Sequence, residues 1–167
     1  MEILDIYDSN GNLTGRTMNR DDLDLSLKEG DYVAISQIYI ENDEGKFLIE
    51  ETAKNRGDRF LPAGGHISSG EDAYTTIVRE VEEELGLDIS NDNVVSLGFV
   101  VDSRRVRFIY YLKKNVNINS LSIQPEEVKS INYLTADEIR EYVQKGLMHK
   151  SHEKILEKVL EYKNNIE

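Results

Sequence analysis

Three glutamates carry the chemistry that this sequence suggests most clearly. Glu80, Glu83 and Glu84 stand at positions i, i+3 and i+4, and such positions share one face of a helix. Like charges at this spacing repel each other, and a divalent cation would relieve that repulsion. Carboxylate oxygens with open water positions suit Mg²⁺ or Mn²⁺. The alternative from these residues alone is a solvated acidic face, which is ordinary in a chain with a net charge of −12.

The glutamates lie in a helix that the sequence predicts over about 71–85. Ser68 or Ser69 is expected to cap its first turn, because serine side chains accept hydrogen bonds from free N–H groups there. Gly86 is expected to end the helix in a left-handed conformation. Arg79 precedes Glu83 by four residues, so the two side chains can pair. The predicted buried stripe consists of Tyr74, Ile77, Val78, Val81 and Leu85.

A wider pattern surrounds the glutamates in residues 65–87, GHISSGEDAYTTIVREVEEELGL. This segment resembles the Nudix box, a motif of glycine, glutamate, arginine and aliphatic residues at fixed spacings. Every defined position of the motif is filled, by Gly65, Glu71, Arg79, Glu80, Val81, Glu83, Glu84, Gly86 and Leu87. The chain is therefore identified as similar to the Nudix hydrolases.

The resemblance implies a pyrophosphohydrolase that cleaves a nucleoside diphosphate linked to another group, with Mg²⁺ (or Mn²⁺) bound to the substrate. Glu83 and Glu84 would be metal ligands, and Glu80 would be either a ligand or the general base. Arg79 and Glu71 would orient these carboxylates.

Two further positions follow from the family pattern. The carbonyl of the glycine before the box often completes the metal site, and Gly64 holds that position here. Some members take the base or another ligand from a glutamate on a late loop. Glu126 or Glu127 is the candidate for that role, since both precede the last predicted strand.

Basic residues in two places are candidates for binding substrate phosphate. The polar loop 52–59 leads into the motif and carries Arg56 and Arg59. Arg105 and Arg107 alternate along a predicted strand and therefore share one face. The alternative for both places is a solvated surface, and it is the interpretation that we favour for the loop as well as for Arg105 and Arg107.

Strands are predicted before and after the central helix, and two helices at the end, which is an α+β pattern. An N-terminal hairpin is predicted around Asn10-Gly11, followed by a short helix capped by Asn19. The resemblance implies a Nudix fold, a mixed β-sheet sandwiched between helices. The predicted strands span residues 2–7, 13–18, 32–40, 46–50, 94–102, 105–113 and 128–134, and the predicted helices besides the central one span 20–28, 135–145 and a final segment from Ser151.

Composition favours one domain over residues 1–167, with an N-terminal extension at 1–30 and the Nudix core at 31–167. The net charge disfavours non-specific nucleic-acid binding. The sequence shows no membrane-length apolar run and no signal-peptide pattern, so a cytoplasmic location and no membrane partner are expected. The expected partner is a small-molecule diphosphate substrate, and Nudix proteins are often homodimers. His149 and His152 are expected to mark a surface helix start rather than a metal site.

An isomerase is the rival enzyme, because the hairpin before the core resembles the start of proteins related to isopentenyl-diphosphate isomerase. Those isomerases need a cysteine before a Gly-His pair, and Gly64 stands there before Gly65-His66. Asp31-Tyr32 replace an expected histidine, and the chain contains no tryptophan. A hydrolase of the isomerase-like branch is the preferred interpretation.

A non-catalytic ligand sensor is the second rival. Such domains often lose glutamates of the box, whereas this chain keeps all of them. Nudix members that cleave ADP-ribose often carry a proline about 15 residues after the box. The region around Asp102 has none, which disfavours ADP-ribose as the substrate.

Overall fold

The computed structural model describes residues 2–23, 27–54 and 58–166. An N-terminal hairpin opens the chain, formed by β1 (Ile3–Tyr7) and β2 (Leu13–Asn19). Its turn contains Gly11, which has a φ of 77° and donates its N–H to the Asp8 carbonyl. The predicted hairpin is confirmed.

The helix predicted over residues 20–28 does not reach its predicted end. Arg20–Asp22 form one turn of 3-10 helix, and the Asn19 side chain caps it by accepting the Asp21 N–H at 3.0 Å, as expected. Residues 27–28 are not helical, so the predicted extent to 28 is wrong. Residues 24–26, which the prediction included, lie outside the described residues.

A mixed seven-stranded sheet forms the centre of the described structure. Its strands are β3 (Val33–Glu41), β4 (Phe47–Thr52), β5 (Phe60–Leu61), β6 (Gly64–His66), β7 (Val95–Asp102), β8 (Arg105–Lys113) and β9 (Val128–Leu134). The order is β5-β4-β3-β8-β7, while β6 pairs with β3 and β9 pairs with β4. β3 is parallel to β8 from Val33, opposite Arg105, to Glu41, opposite Lys113. The strand predicted over residues 32–40 is therefore confirmed, and it lies at the centre of the sheet.

Helices cover both faces of the sheet, as predicted. On one face α1 (Ala73–Leu85) packs against a core that includes Ile38, Ile40 and Leu48. On the other face α2 (Ala136–Gln144) and α3 (Ser151–Ile166) pack against a core that includes Tyr39 and Ile109. Alternation along β3 sends successive side chains to the two cores. None of the described helices is long and apolar enough to cross a membrane.

The start of α1 differs from the prediction. Asp72, rather than Ser68 or Ser69, is the N-cap, and its side chain accepts the Thr75 N–H at 2.7 Å. Both serine hydroxyls donate instead to carboxylates of the N-terminal hairpin. The end of the helix is as predicted, because Gly86 caps it with a φ of 66°.

The buried face of α1 is also rotated from the predicted stripe. Ile77, Val81 and Leu85 are fully buried as expected, but Tyr74 is 43% exposed, so its predicted burial is wrong. Thr76 and Glu84 are buried in addition. The sheet therefore covers part of the acidic stripe that the sequence placed beside the apolar one.

α3 begins at Ser151, but its first turn is not at the surface. His152 is 1% exposed, and its Nδ1 lies 2.9 Å from the Tyr39 hydroxyl in the core beneath the helix. The expected surface position is therefore wrong for His152. His149 is half-buried, and its Nδ1 accepts the Ser151 N–H. The apolar faces of α3 and β3 enclose His152, which the sequence pattern did not reveal.

The buried His152 makes stability depend on pH. Burial, followed by the charges of Arg107 and His149, lowers the pKa of His152 from 6.5 to about 3. The unfolded chain binds this proton more readily, so the contribution to stability is complete above about pH 6.5 and is lost as the pH falls toward about 3. We expect His152→Gln to reduce the slope of unfolding free energy against pH in this range, measured by urea denaturation. A slope equal to that of the wild type would contradict this expectation. Burial also lowers the pKa of His149, which is only half-buried, so His149→Gln should reduce the slope by less than His152→Gln does.

Candidate active site

Two glycines allow the segment before α1 to lie against both the sheet and the helix. A Cβ on Gly64 would overlap the carbonyl oxygen of Ser36 in β3, and a Cβ on Gly65 would stand 2.6 Å from Glu80 Oε1. No larger residue fits either place without displacing its neighbour. The close approach brings the backbone of β6 next to the carboxylates of α1.

Arg79 organises the outer part of this site. Its Nε and Nη2 donate to Glu71 at 2.9 and 2.8 Å, while Nη1 donates to Glu80 and Glu83, both at 3.1 Å. The bonds from Arg79 lower the pKa of Glu71, and the bonds to Glu71 raise the pKa of Arg79. The predicted pairing of Arg79 with Glu83 is present, and Arg79 joins all three carboxylates.

Glu84 forms the inner part of the site with a residue that sequence reasoning missed. Glu84 is 7% exposed and accepts the Gly64 N–H at 3.0 Å. Glu50 of β4 is 2% exposed, and its carboxylate is within hydrogen-bonding reach of Glu84. Burial raises the pKa of both carboxyl groups, and in each case neighbouring negative charges add to the effect. Two buried carboxylates in contact need to share a proton or a cation.

Glu80 lies between the outer and inner parts. Burial raises its pKa to about 7, against the opposing effect of Arg79 and with added repulsion from Glu83 and Glu127. Glu80 also raises the pKa of both Glu50 and Glu84 by repulsion. Glu80 lies against Gly65 and Glu84 accepts the N–H of the adjacent Gly64, so these carboxylates stand together beside β6.

The chemistry of this cluster fits a hard divalent cation. Glu50 Oε2 is buried and accepts no hydrogen bond within the described part of the chain. Among these residues, no three acidic or histidine side chains already stand in metal-binding positions. Arg79 holds Glu80 and Glu83, so ligation requires rotation of their side chains. Oxygen donors with mutual repulsion and an unsatisfied buried atom are the donor set that Mg²⁺ and Mn²⁺ prefer.

The late loop brings one of its two candidate glutamates to the cluster. Its backbone follows the end of α1, where the Gln124 N–H donates to the Glu84 carbonyl at 3.0 Å. Glu127 is half-buried and raises the pKa of Glu80 and Glu50 by its charge, whereas Glu126 is exposed. Lys54 pairs with Glu127 at 2.6 Å. Glu127 is therefore the better candidate of the two.

Arg59 does not lie at the carboxylate cluster. Arg59 donates to Glu51 at 2.7 Å and stacks over the Phe60 ring, and Glu51 points to the sheet face opposite Glu50. Arg56 lies outside the described residues. The predicted substrate contact of Arg59 is therefore not brought to the carboxylate cluster.

Arg107 corrects the interpretation of a solvated strand face. It is 7% exposed, and Arg105, two residues before it on the same face, is half-buried. Burial lowers the pKa of Arg107, an effect that the charge of Asp102 opposes. Arg107 Nε has no hydrogen-bond acceptor among the described residues. The packing of α3 against the sheet encloses this face, which strand alternation alone could not show.

Gln37 presents a complementary group on the same face. It is 4% exposed, and its Oε1 receives no hydrogen bond from any residue that the structure describes. β3 places Ile35 opposite Arg107 and Gln37 opposite Ile109, so Gln37 and Arg107 are diagonal neighbours. The only sequence signal for Gln37 was a polar residue inside an otherwise apolar strand. A buried donor and a buried acceptor, both unsatisfied, point to a missing polar partner.

Comparison with known protein families shows which family this chain belongs to. A sequence model of the NUDIX domain matches residues 32–159, which is most of the chain. The chain belongs to the Nudix family. It is a Nudix hydrolase, and hence a pyrophosphohydrolase.

Named relatives agree with this assignment. The chain is 28% identical to an uncharacterized Nudix hydrolase of Listeria monocytogenes, over 83% of each sequence. It is also 28% identical to an uncharacterized Nudix hydrolase of Clostridium acetobutylicum, over 85% of this chain and 74% of the relative. The proposed relation to the isomerase-like branch is not tested by these matches and stays a prediction.

Solved structures show the same fold at low sequence identity. A Deinococcus radiodurans protein superposes with a TM-score of 0.72 and 19% identity, covering 87% of this chain and 90% of its own. An Ap4A hydrolase of C. elegans gives a TM-score of 0.56 at 14% identity, covering 78% of this chain and 98% of its own. The predicted mixed sheet between helices, with the Nudix fold, is confirmed.

Proposed function

We propose that this Nudix hydrolase cleaves the diphosphate linkage of a nucleoside diphosphate joined to another group, with Mg²⁺ (or Mn²⁺) as cofactor. The observation that carries the proposal is the contact between buried Glu84 and buried Glu50, beside Glu80, because such a cluster needs a cation to be ionised. Family membership supports the reaction class.

In the proposed site, Glu80, Glu83 and Glu84 would hold the cation with the Gly64 carbonyl, and Glu50 would add a carboxylate behind them. When bound, Mg²⁺ would neutralise the charge on the diphosphate oxygens. Arg79, itself held by Glu71, donates to Glu80 and Glu83 and would keep these carboxylates beside the site until their side chains rotate onto the cation.

A general base is needed to take the proton of the attacking water. Glu80 is proposed for this role as an alternative to ligation, since its pKa of about 7 suits proton transfer near neutral pH. Glu127 is the second candidate, and its pairing with Lys54 would hold its carboxylate in place. Comparing the pH–rate profiles of Glu80→Gln and Glu127→Gln would separate the two.

The remaining proposals concern the rest of the molecule. We propose one domain over residues 1–167, with its Nudix core at 31–167, a cytoplasmic location, a homodimer, and a small-molecule substrate rather than nucleic acid or membrane. Light scattering would test the dimer.

The experiment that tests the function is a substrate panel. Nucleoside diphosphate derivatives and isopentenyl diphosphate would be incubated with Mg²⁺ or with EDTA, and phosphate, pyrophosphate and product masses would be measured. We expect cleavage of one class of nucleoside diphosphate derivative with Mg²⁺ and none with EDTA. Isomerised isopentenyl diphosphate, or binding of a nucleotide without any cleavage, would refute the proposal in favour of an isomerase or a sensor.

Arg107 and Gln37 lie on the α3 side of the sheet, opposite the carboxylate cluster, and are proposed to bind the part of the substrate that is not cleaved. Their unsatisfied groups would pair with a substrate group that offers an acceptor to Arg107 and a donor to Gln37. Arg107→Met keeps the apolar stem, and we expect it to raise KM about tenfold or more with little change in kcat. The unfolding temperature should change little, because methionine keeps the packed stem and removes a buried charged group whose Nε has no acceptor among the described residues. An unchanged KM with a lower unfolding temperature would assign Arg107 a purely structural role.

A further inference from the structure

The N-terminal hairpin lies outside the region that matches the NUDIX domain, which begins at residue 32. It nevertheless contacts the loop that leads into α1, residues 67–72. Asp5 Oδ1 accepts the Ser69 hydroxyl at 2.7 Å, and Asp5 Oδ2 accepts the Gly70 N–H at 3.1 Å. One carboxylate of the extension therefore holds two consecutive residues of the Nudix box.

Backbone contacts extend this attachment along β1. The Ser69 N–H donates to the Ile3 carbonyl at 2.8 Å, and Leu4 forms an isolated antiparallel bridge with Ser68. The Ser68 hydroxyl donates to Glu2 at 2.9 Å. The loop therefore lies along β1 and makes backbone contacts with it at residues 68 and 69.

The hairpin is itself anchored to the core, so it can act as a rigid support. Leu4 is fully buried in a cluster with Leu27 and Val33. Tyr7 and Tyr32 exchange two backbone hydrogen bonds, of 2.7 and 2.9 Å. Because these contacts fix β1 relative to β3, they also fix where the loop can lie.

The held loop connects directly to the catalytic carboxylates. Gly70 precedes Glu71, whose carboxylate accepts two hydrogen bonds from Arg79. Arg79 in turn donates to Glu80 and Glu83. A displacement of residues 69–70 would act on Glu71, which Thr76 and Arg79 also hold, and through Glu71 on the position of Arg79 beside the cluster.

We propose that the hairpin sets the geometry of the Nudix box through Asp5, which is a positioning residue for the hydrolysis. This rests on the proposed function of the carboxylate cluster. The Asp5 contacts are polar and lie at the surface, so they contribute little to global stability. The effect of losing them should therefore appear in the loop and in the cluster rather than in the unfolding temperature.

The test compares Asp5→Ala with Asp31→Ala in the full chain. Asp31 forms a bidentate ion pair with Arg16 of β2, at 2.7 and 2.8 Å, so its removal also cuts a carboxylate contact of the hairpin but leaves the loop contacts intact. Three quantities would be measured: amide hydrogen exchange at Ser69 and Gly70, the affinity for Mn²⁺, and kcat and KM on the cleaved substrate.

We expect Asp5→Ala to accelerate exchange at Ser69 and Gly70 and to weaken Mn²⁺ binding and kcat, each by about tenfold or more, with KM changed less than kcat. Asp5→Asn, which keeps one acceptor oxygen, should lie between wild type and Asp5→Ala. Asp31→Ala should match the wild type in exchange at the loop, Mn²⁺ affinity and kcat.

Unchanged exchange or Mn²⁺ affinity in Asp5→Ala would overturn the proposal, as would equal losses in Asp31→Ala. If the wild type neither bound Mn²⁺ nor cleaved any substrate, the proposed function would fail. In that case the exchange at Ser69 and Gly70 alone would decide whether Asp5 positions the loop.

Discussion

Replacement of Glu84 by glutamine is expected to lower kcat about a thousandfold while leaving the fold intact. Glutamine can still accept the Gly64 N–H, and its amide can donate to Glu50, so the local hydrogen bonds survive. What is lost is one negative charge at the position where the cation is proposed to bind. The expected result is therefore a loss of catalysis without a loss of structure.

The same substitution should stabilise the metal-free protein. Glu50 and Glu84 repel each other when both are ionised, and neutralising one of them removes that repulsion. We expect a higher unfolding temperature in EDTA, and a smaller increase in that temperature when Mg²⁺ is added. Calorimetry and steady-state kinetics would measure both effects.

Glu82→Gln is the matched control for this prediction. Glu82 is on the same helix and is exposed, so its substitution makes the same change in net charge away from the cluster. It should leave kcat and the response to Mg²⁺ unchanged. Wild-type turnover in Glu84→Gln, or an equal loss in Glu82→Gln, would exclude the proposed role of Glu84.

Replacement of Arg79 by alanine should lower kcat by about 10- to 100-fold. Arg79 donates hydrogen bonds to Glu71, Glu80 and Glu83 at once. Its loss therefore leaves these three carboxylates without the guanidinium group that holds them beside the site. The effect should be smaller than that of Glu84→Gln because Arg79 acts through its neighbours. Kinetics at saturating Mg²⁺ would measure it.

Arg79→Lys tests whether the shape of the guanidinium matters in addition to its charge. Lysine cannot reproduce the two parallel bonds to Glu71, so we expect only partial recovery of kcat. Combining Arg79→Ala with Glu71→Gln should cost little more than Arg79→Ala alone, since the two residues act together. Additive losses would show instead that they act independently.

Sequence reasoning located much of the fold because its elements are encoded locally. β8 and β9 have the predicted limits, and the capping box of α2 forms between Thr135 and Glu138. Gly86 ends α1 because a left-handed residue is needed there. Each of these features depends on neighbours within a few residues along the chain.

The predictions from the sequence were wrong where contacts between distant segments determine the structure. The N-cap of α1 moved from the serines to Asp72, because Ser68 and Ser69 bond the hairpin more than sixty residues away. Arg107 and His152 were assigned to the surface, but α3 covers one and the core encloses the other. A helical wheel or an alternating strand shows which residues share a face, not what covers that face.

The sequence by itself determined the family and the acidic residues of its motif, because the spacing of the Nudix box is a property of one continuous segment. Only the tertiary structure decided that Glu50 of β4 lies against Glu84, and that Glu127 rather than Glu126 lies near the cluster. It also brought Asp5 to the loop before α1. These pairings depend on strand register and on the packing of helix against sheet, and burial raises the pKa of the carboxylates only once distant segments have excluded water from them.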